Sequence, residues 1–281
     1  MSDLISLIVS TYNRPDALGA VLRSLARQND RNFEIVVADD GSGMPTRDVV
    51  KSWTAKAGVP LKHVWQEDRG YRLAEIRNRA IAASGGSYIV FLDGDCIARP
   101  NFVAAHRRLA EPGFFVGGNR VLLSQALTED ILSGNLESES WGLGTWALKR
   151  ARRDINRMLP LVSLPLGPLR KRLAGEWEGV RGGNFAFYRA DLERVDGFET
   201  CFIGWGLEDS DIVIRMMRCG VKRKDGRFAT GVLHLWHPEA DRSQLAAHRA
   251  KLDELLRSNR VRALRGFSAA GQDRGAVAVG Q

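Results

Sequence analysis

Tyr88-Ile89-Val90-Phe91-Leu92 runs directly into Asp93-Gly94-Asp95. The apolar run is rich in β-branched and aromatic residues and shows no polar alternation. It reads as a strand buried on both faces, the habit of a parallel sheet. Two carboxylates separated by one small residue at the end of such a strand can share a hard divalent cation, Mg²⁺ or Mn²⁺, which in turn can hold the diphosphate of a nucleotide. An acidic turn is the plain structural alternative, so the surroundings decide.

Upstream, the same design recurs. Leu4–Ser10 is an apolar run followed by the polar turn Thr11–Arg14, with Pro15 at a first helical position and Ala17, Leu18, Val21, Leu22 and Leu25 at helical spacing. Phe33–Ala38 ends in Asp39-Asp40-Gly41-Ser42, a helix is expected over Thr46–Ala57, a strand over Leu61–Trp65 and a helix over Leu73–Ala83. This alternation predicts an α/β fold with a parallel sheet of Rossmann type, whose ligands bind beyond the carboxyl ends of the strands. Each polar cluster lies at such an end.

Downstream the character changes. Residues 122–181 carry Pro160, Pro165 and Pro168, three tryptophans (Trp141, Trp146, Trp177) and the basic clusters Lys149–Arg153 and Arg170–Arg172. They read as an inserted lid or surface segment. Order is expected to return with a strand at Asn184–Tyr188, a helix at Glu208–Cys219, a strand at Phe228–Leu235 and a helix at Gln244–Arg262. The chain thus divides into 1–121, the insert 122–181, a second half 182–266, and a Gly/Ala-rich tail 267–281 expected to be flexible.

A length of 281 residues, 44% hydrophobic and 26% charged, fits one large globular unit and excludes fibrous or low-complexity classes. Cys96, Cys201 and Cys219 have no metal-like spacing, so a reducing compartment is expected. No apolar run approaches the roughly 18 residues of a membrane span, and no signal peptide is visible. The expected location is cytoplasmic, either soluble or peripheral on the inner face of the membrane. Of the net charge of +8, the stretch Thr145–Arg181 supplies +6, with nine Lys/Arg against three Asp/Glu. That concentration implies an anionic partner at one surface.

Further clusters bear chemistry. The hydroxyls and backbone of Thr11, Tyr12, Asn13 and Arg14 suit a base pocket, and Asp40 can accept from a base N–H. Arg72 and Arg77 offer planar donor forks for phosphate. In Gly204-Trp205-Gly206-Leu207-Glu208-Asp209 an aromatic flanked by glycines can face a sugar ring, before two acids open a helix. His234 and His237 follow a strand and can complete the metal site begun at Asp95.

In order, Ser10–Arg14, Asp39–Ser42, Arg77-Asn78, Phe91–Asp95, Gly182-Gly183-Asn184 and Gly204–Asp209 resemble the glycosyltransferases of the GT-A fold, family 2. The second half is similar to β-1,4-galactosyltransferases and bacterial chondroitin polymerases, which share a Gly-Gly-Asn strand, a W-G-x-E-D motif and a later histidine. The resemblance covers residues 4–238. It implies a UDP-sugar donor, with Thr11, Tyr12 and Asp40 on uracil and Asp93, with Gly94 beside it, on ribose or metal. Asp95 and His234, with His237 as a second histidine, would ligate Mn²⁺ or Mg²⁺. Gly183 and Asn184 would border the sugar, Trp205 and Glu208 would receive the acceptor, and Asp209 would be the catalytic base of an inverting transfer. The implied acceptor is a glycan or lipid-linked glycan, and the basic insert suits contact with an anionic membrane. Two rivals are weaker. A nucleic-acid binder leaves Asp93, Asp95, Glu208 and Asp209 repelling phosphate, and a nucleotidyltransferase needs a Lys-bearing glycine loop that Ser10–Arg14 lacks.

Overall fold

The run beginning at Ile5 forms β1 (Ile5–Thr11), with all seven residues buried. The computed structural model describes residues 4–134, 136–180 and 182–270. α1 (Pro15–Ala26), β2 (Phe33–Asp39), α2 (Met44–Thr54), β3 (Leu61–Trp65), α3 (Leu73–Ala83) and β4 (Tyr88–Asp93) follow in alternation. β1 pairs in parallel with β2 and β4, and β2 with β3. Successive side chains go to opposite layers. Ile5, Leu7 and Val9 pack with Leu18, Val21 and Leu22 of α1, whereas Ile8 and Val36 join Ile76 and Ala80 of α3. α2 starts earlier than its apolar pattern implies, because Pro45 is placed in its first turn.

Beyond β4 come β5 (Cys96–Ile97), α4 (Phe102–Leu109), β6 (Phe114–Gly117), β7 (Arg120–Leu122), α5 (Gln125–Ser133) and α6 (Leu143–Ala151). Then follow β8 (Asn184–Tyr188), α7 (Arg189–Arg194), α8 (Glu208–Arg218), β9 (Lys222–Asp225), β10 (Val232–His234), α9 (Leu245–Arg257) and α10 (Phe267–Ala270). A seven-stranded sheet runs β3-β2-β1-β4-β8-β6-β9, and a three-stranded one runs β5-β10-β7.

The parallel arrangement expected for the first four strands is present, and the large sheet becomes mixed beyond them. β8 starts beside the carboxyl end of β4, with Asn184 opposite Leu92, so it runs antiparallel to β4 and likewise to β6. Its Phe185 and Phe187 pack against Phe91 at ring separations of 5.1 and 6.3 Å. The expected strand Phe228–Leu235 contracts to β10, because Phe228 has φ +59° and Thr230 turns back onto the Gly226 carbonyl. The expected helix Gln244–Arg262 ends at Arg257. Within the tail expected to be flexible, Phe267–Ala270 is helical, and 271–281 lie outside the described residues.

The insert is more than a surface segment. Leu127, Ile131, Trp146, Ile155 and Leu161 belong to the same core layer as β1, with Trp146 fully buried. Arg170, inside a basic cluster, is buried too and donates to the carbonyls of Asp225 and Arg227. Leu148, Leu159 and Leu169 face outward, as do Arg150, Arg152 and Arg172.

Candidate active site

The two sheets meet at the end of β4. Gly94 donates its N–H to the Ser10 carbonyl of β1 at 2.7 Å, and a Cβ there would stand 2.7 Å from that oxygen. Only glycine lets the acid-bearing turn close this tightly. β5 follows at once and pairs with β10 so that His234 lies opposite Cys96. This pairing brings a residue 139 positions later beside Asp95. His234 Nε2 is 3.7 Å from one Asp95 oxygen and His237 Nε2 is 3.4 Å from the other. One ligand atom from each of the three lies within 4.8 Å of the others. Burial lowers the His234 pKa, opposed by Asp95, which keeps the imidazole neutral and able to coordinate. One carboxylate with two imidazoles suits a first-row divalent ion such as Mn²⁺ better than Mg²⁺, whose preference is for oxygen.

Asp93 faces a second assembly centred on Arg77 of α3. Arg77 is 1% exposed. Its Nη2 lies 3.1 Å from Asp93 and its Nη1 3.4 Å from Glu208, and it donates to the Gly182 carbonyl at 3.0 Å and to Ser10 Oγ at 3.3 Å. Phe91, Phe185 and Phe198 ring it, with centroids 5.4–5.8 Å from the guanidinium carbon. Arg77 was expected on phosphate; its donors are instead committed to internal partners, and it links three stretches of chain. Arg72 also departs from expectation. Its side chain pairs with Glu75 at 2.8 Å, and its backbone N–H donates to Asp40 at 2.7 Å.

α8 opens beside this assembly after backbone at positive φ at Gly204, Gly206 and Leu207. Glu208 is buried, and that burial, reinforced by Asp209, raises its carboxyl to about 7. Its Oε2 has no hydrogen-bond partner among the described residues. Asp209 accepts from the Gly182 N–H at 2.9 Å and from the Ser210 N–H at 2.7 Å. Gly183 packs directly on Asp93, since a Cβ there would lie 2.4 Å from Asp93 Oδ2. Asn184, expected at the sugar pocket, is buried and occupied internally: Nδ2 donates to the carbonyls of Asn119 and Thr230, and Oδ1 meets His106. His248 of α9 clasps the glycine-flanked loop, with Nδ1 2.8 Å from the Gly206 carbonyl and Nε2 3.0 Å from that of Ile203.

A cleft of about 660 Å³ lies over these elements, and Thr11, Tyr12, Arg14, Asp40, Asp93, Gly94, Asp95, Trp205, His234 and His237 all line it. Six of the remaining residues expected at the site (Arg72, Arg77, Gly183, Asn184, Glu208, Asp209) are not among its lining residues. Asn13 is turned into its own loop, accepting from the Gly43 N–H at 3.0 Å and donating its N–H to Ser42 Oγ at 2.8 Å. Burial pushes Asp40 up to about 6. Thr11 Oγ1 is buried with no hydrogen-bond partner among the described residues. Such an orphaned hydroxyl in a cleft wall is suited to a ligand. Tyr12 donates to Asp68 at 2.8 Å. Arg242 lies 5.1 Å over the Trp205 ring. Tyr71, Arg120, Trp236 and Arg242 also line the cleft and were missed. Tyr71 adjoins Arg72 and Trp236 lies between His234 and His237, so their neighbours were the available signal, while Arg120 and Arg242 stand outside the motifs.

The sequence profile of glycosyl transferase family 2 matches residues 6–195, and that described as the N-terminal domain of galactosyltransferase matches 170–238. The validoxylamine A glucosyltransferase of Streptomyces hygroscopicus subsp. jinggangensis is 30% identical over 243 residues, covering 82% of this chain and 55% of its own length. The chondroitin synthase of Escherichia coli is 25% identical over 252 residues, covering 81% and 34%. The chain therefore spans about half, or less, of the length of these relatives. Among solved structures, the mannosyltransferase PcManGT of Pyrobaculum calidifontis, in complex with GDP-Man and Mn²⁺, superposes with a TM-score of 0.62 at 19% identity, covering 99% of this chain and 77% of that one. Staphylococcus aureus TarS (residues 1–349) with UDP-GlcNAc gives 0.54 at 15% identity, covering 84% and 59%. The expected GT-A architecture is the one these neighbours share.

Proposed function

The chain belongs to glycosyl transferase family 2, and from that premise we propose a metal-dependent, inverting enzyme that moves a hexose-type sugar from a UDP-sugar to a glycan, lipid-linked glycans included, in surface polysaccharide synthesis. The observation that carries this reading is the single cleft onto which Thr11, Asp40, Asp93, Asp95, His234 and His237 converge from four separate stretches of sequence.

Asp95, His234 and His237 would hold the divalent ion, with Asp93 alongside. When bound, that ion supplies Lewis-acid charge to the donor's diphosphate. Thr11 Oγ1 and the Asp40 carboxyl face the uracil and ribose end. Trp205, which lines the cleft, receives the acceptor sugar. The Gly182 and Ser210 N–H groups hold the Asp209 carboxylate in place beside Glu208. Asp209 removes the proton from the acceptor hydroxyl as that oxygen attacks the anomeric carbon from the face opposite the leaving diphosphate. Tyr71 and Trp236 add aromatic surface to the cleft wall.

Among the described residues no helix is long and apolar enough to cross a membrane. The outward leucines and arginines of the insert support peripheral contact with an anionic membrane from the cytoplasmic side. Sedimentation with anionic liposomes at low salt, lost at high salt, is the expected outcome.

The decisive test is calorimetric titration of UDP with and without Mn²⁺. Binding that requires Mn²⁺ and disappears in Asp95→Ala is expected. Equal binding by Asp95→Ala overturns the metal assignment, and absence of nucleotide binding overturns the reading as a whole.

A further inference from the structure

We propose that Arg120, at the start of β7, is the arginine that grips the donor's diphosphate and stabilises it as it leaves. This inference rests on the function proposed above. Three arginines line the cleft: Arg14, Arg120 and Arg242. Arg14 pairs with Asp16 at 3.1 Å and Arg242 with Glu239 at 3.2 Å. Among the described residues the Arg120 guanidinium has no carboxylate within 4.0 Å and makes no hydrogen bond, while Arg72 and Arg77 are committed elsewhere.

Its position is built. Arg120 pairs with Val232 across the β7–β10 ladder, two residues before His234. Arg157 of the insert donates to the Arg120 carbonyl from Nε at 3.2 Å and from Nη2 at 2.7 Å, which anchors the backbone and leaves the side chain free. Gly183 leaves the way open, since even a Cβ there would lie 3.6 Å from Arg120 Nη1.

A sugar nucleoside diphosphate carries two negative charges, which an unpaired guanidinium on the cleft wall can meet in a partly buried setting where Coulomb terms are strong. As the bond to the anomeric carbon breaks, its electron pair passes to the bridging oxygen of the distal phosphate. A guanidinium fork already in place stabilises that charge without reorganising.

The test compares UDP with UMP by calorimetry in Mn²⁺, using wild type, Arg120→Ala and Arg120→Lys, with thermal melts to show that each variant folds. Charge-assisted hydrogen bonds of this kind are worth enough that Arg120→Ala should bind UDP about 10–100-fold more weakly. UMP should change less than about 3-fold, since the distal phosphate carries the contact, and Arg120→Lys should recover part of the loss. Turnover of Arg120→Ala should fall with UDP affinity. Unchanged UDP affinity in Arg120→Ala, beside normal wild-type binding, overturns this inference alone. Equal weakening toward UDP and UMP also overturns it, because it places Arg120 on the nucleoside. A wild type that binds no UDP overturns both this inference and the function it rests on.

Discussion

Replacing Glu208 by Gln should stabilise the protein at alkaline pH and leave it nearly unchanged in acid. Burial raises the Glu208 carboxyl from its ordinary 4.5 to about 7. A folded-state pKa above the unfolded value means that the stability it contributes is complete below pH 4.5 and is lost as pH rises through 7. The shift is worth about 3 kcal/mol at 1.36 kcal/mol per unit, as an upper bound. Gln has the same shape and no charge to desolvate, and its carbonyl can still accept from Arg77, which lies 3.4 Å from the present carboxylate. Asp40, raised to about 6, titrates in both proteins and cancels in the difference. Urea unfolding of both proteins in metal-free buffer should therefore show a gain for Glu208→Gln that grows by about 2 kcal/mol between pH 5 and pH 8. Transfer activity should fall in the same variant, a stability cost retained at the site for function. A variant less stable than wild type at pH 8, or a difference independent of pH, would mean that Arg77 compensates the buried charge fully and would refute the reasoning.

Arg77→Met should lose about 3–5 kcal/mol in neutral urea titrations, because Asp93 and Glu208 are left without their buried counter-charge; a loss below 1 kcal/mol would contradict the hub described here. Asp209→Asn should reduce turnover by at least ~10²-fold while UDP affinity stays nearly constant. Near-normal turnover in a progress-curve assay would remove Asp209 from the role of base. Gly183→Ala places a methyl 2.4 Å from Asp93 Oδ2, so it should cost about 1–3 kcal/mol of stability by overpacking and weaken Mn²⁺-dependent UDP binding in the same calorimetric assay.

Much of the first half, residues 1–121, was legible from local pattern. β1, β2 and β4 are continuous apolar runs because both of their faces are covered, and the acids that follow them fall at strand ends by the same logic. The choice between His234 and His237 stayed open in the sequence, and the fold brings both beside Asp95 through one short pairing, Cys96 with His234. Arg77 shows the opposite case. A helix position gives the residue and its face but not whether a phosphate or a pair of internal carboxylates waits there. Asn184 stands next to glycines in a motif, yet its amide is turned inward to carbonyls 65 and 46 residues away along the chain.

By itself, the order of residues determined the alternation of strands and helices, the glycine-permitted turns and the acid chemistry at their ends, since all of these arise from neighbours within a few positions. Only the tertiary structure decided that β8 runs against β4, that Trp146 enters the core, that Arg77 is consumed internally and that Arg120 is left open to the cleft. Those outcomes depend on contacts between stretches a hundred residues apart in some cases, where burial and charge compensation, invisible to any local pattern, select among side chains of the same type.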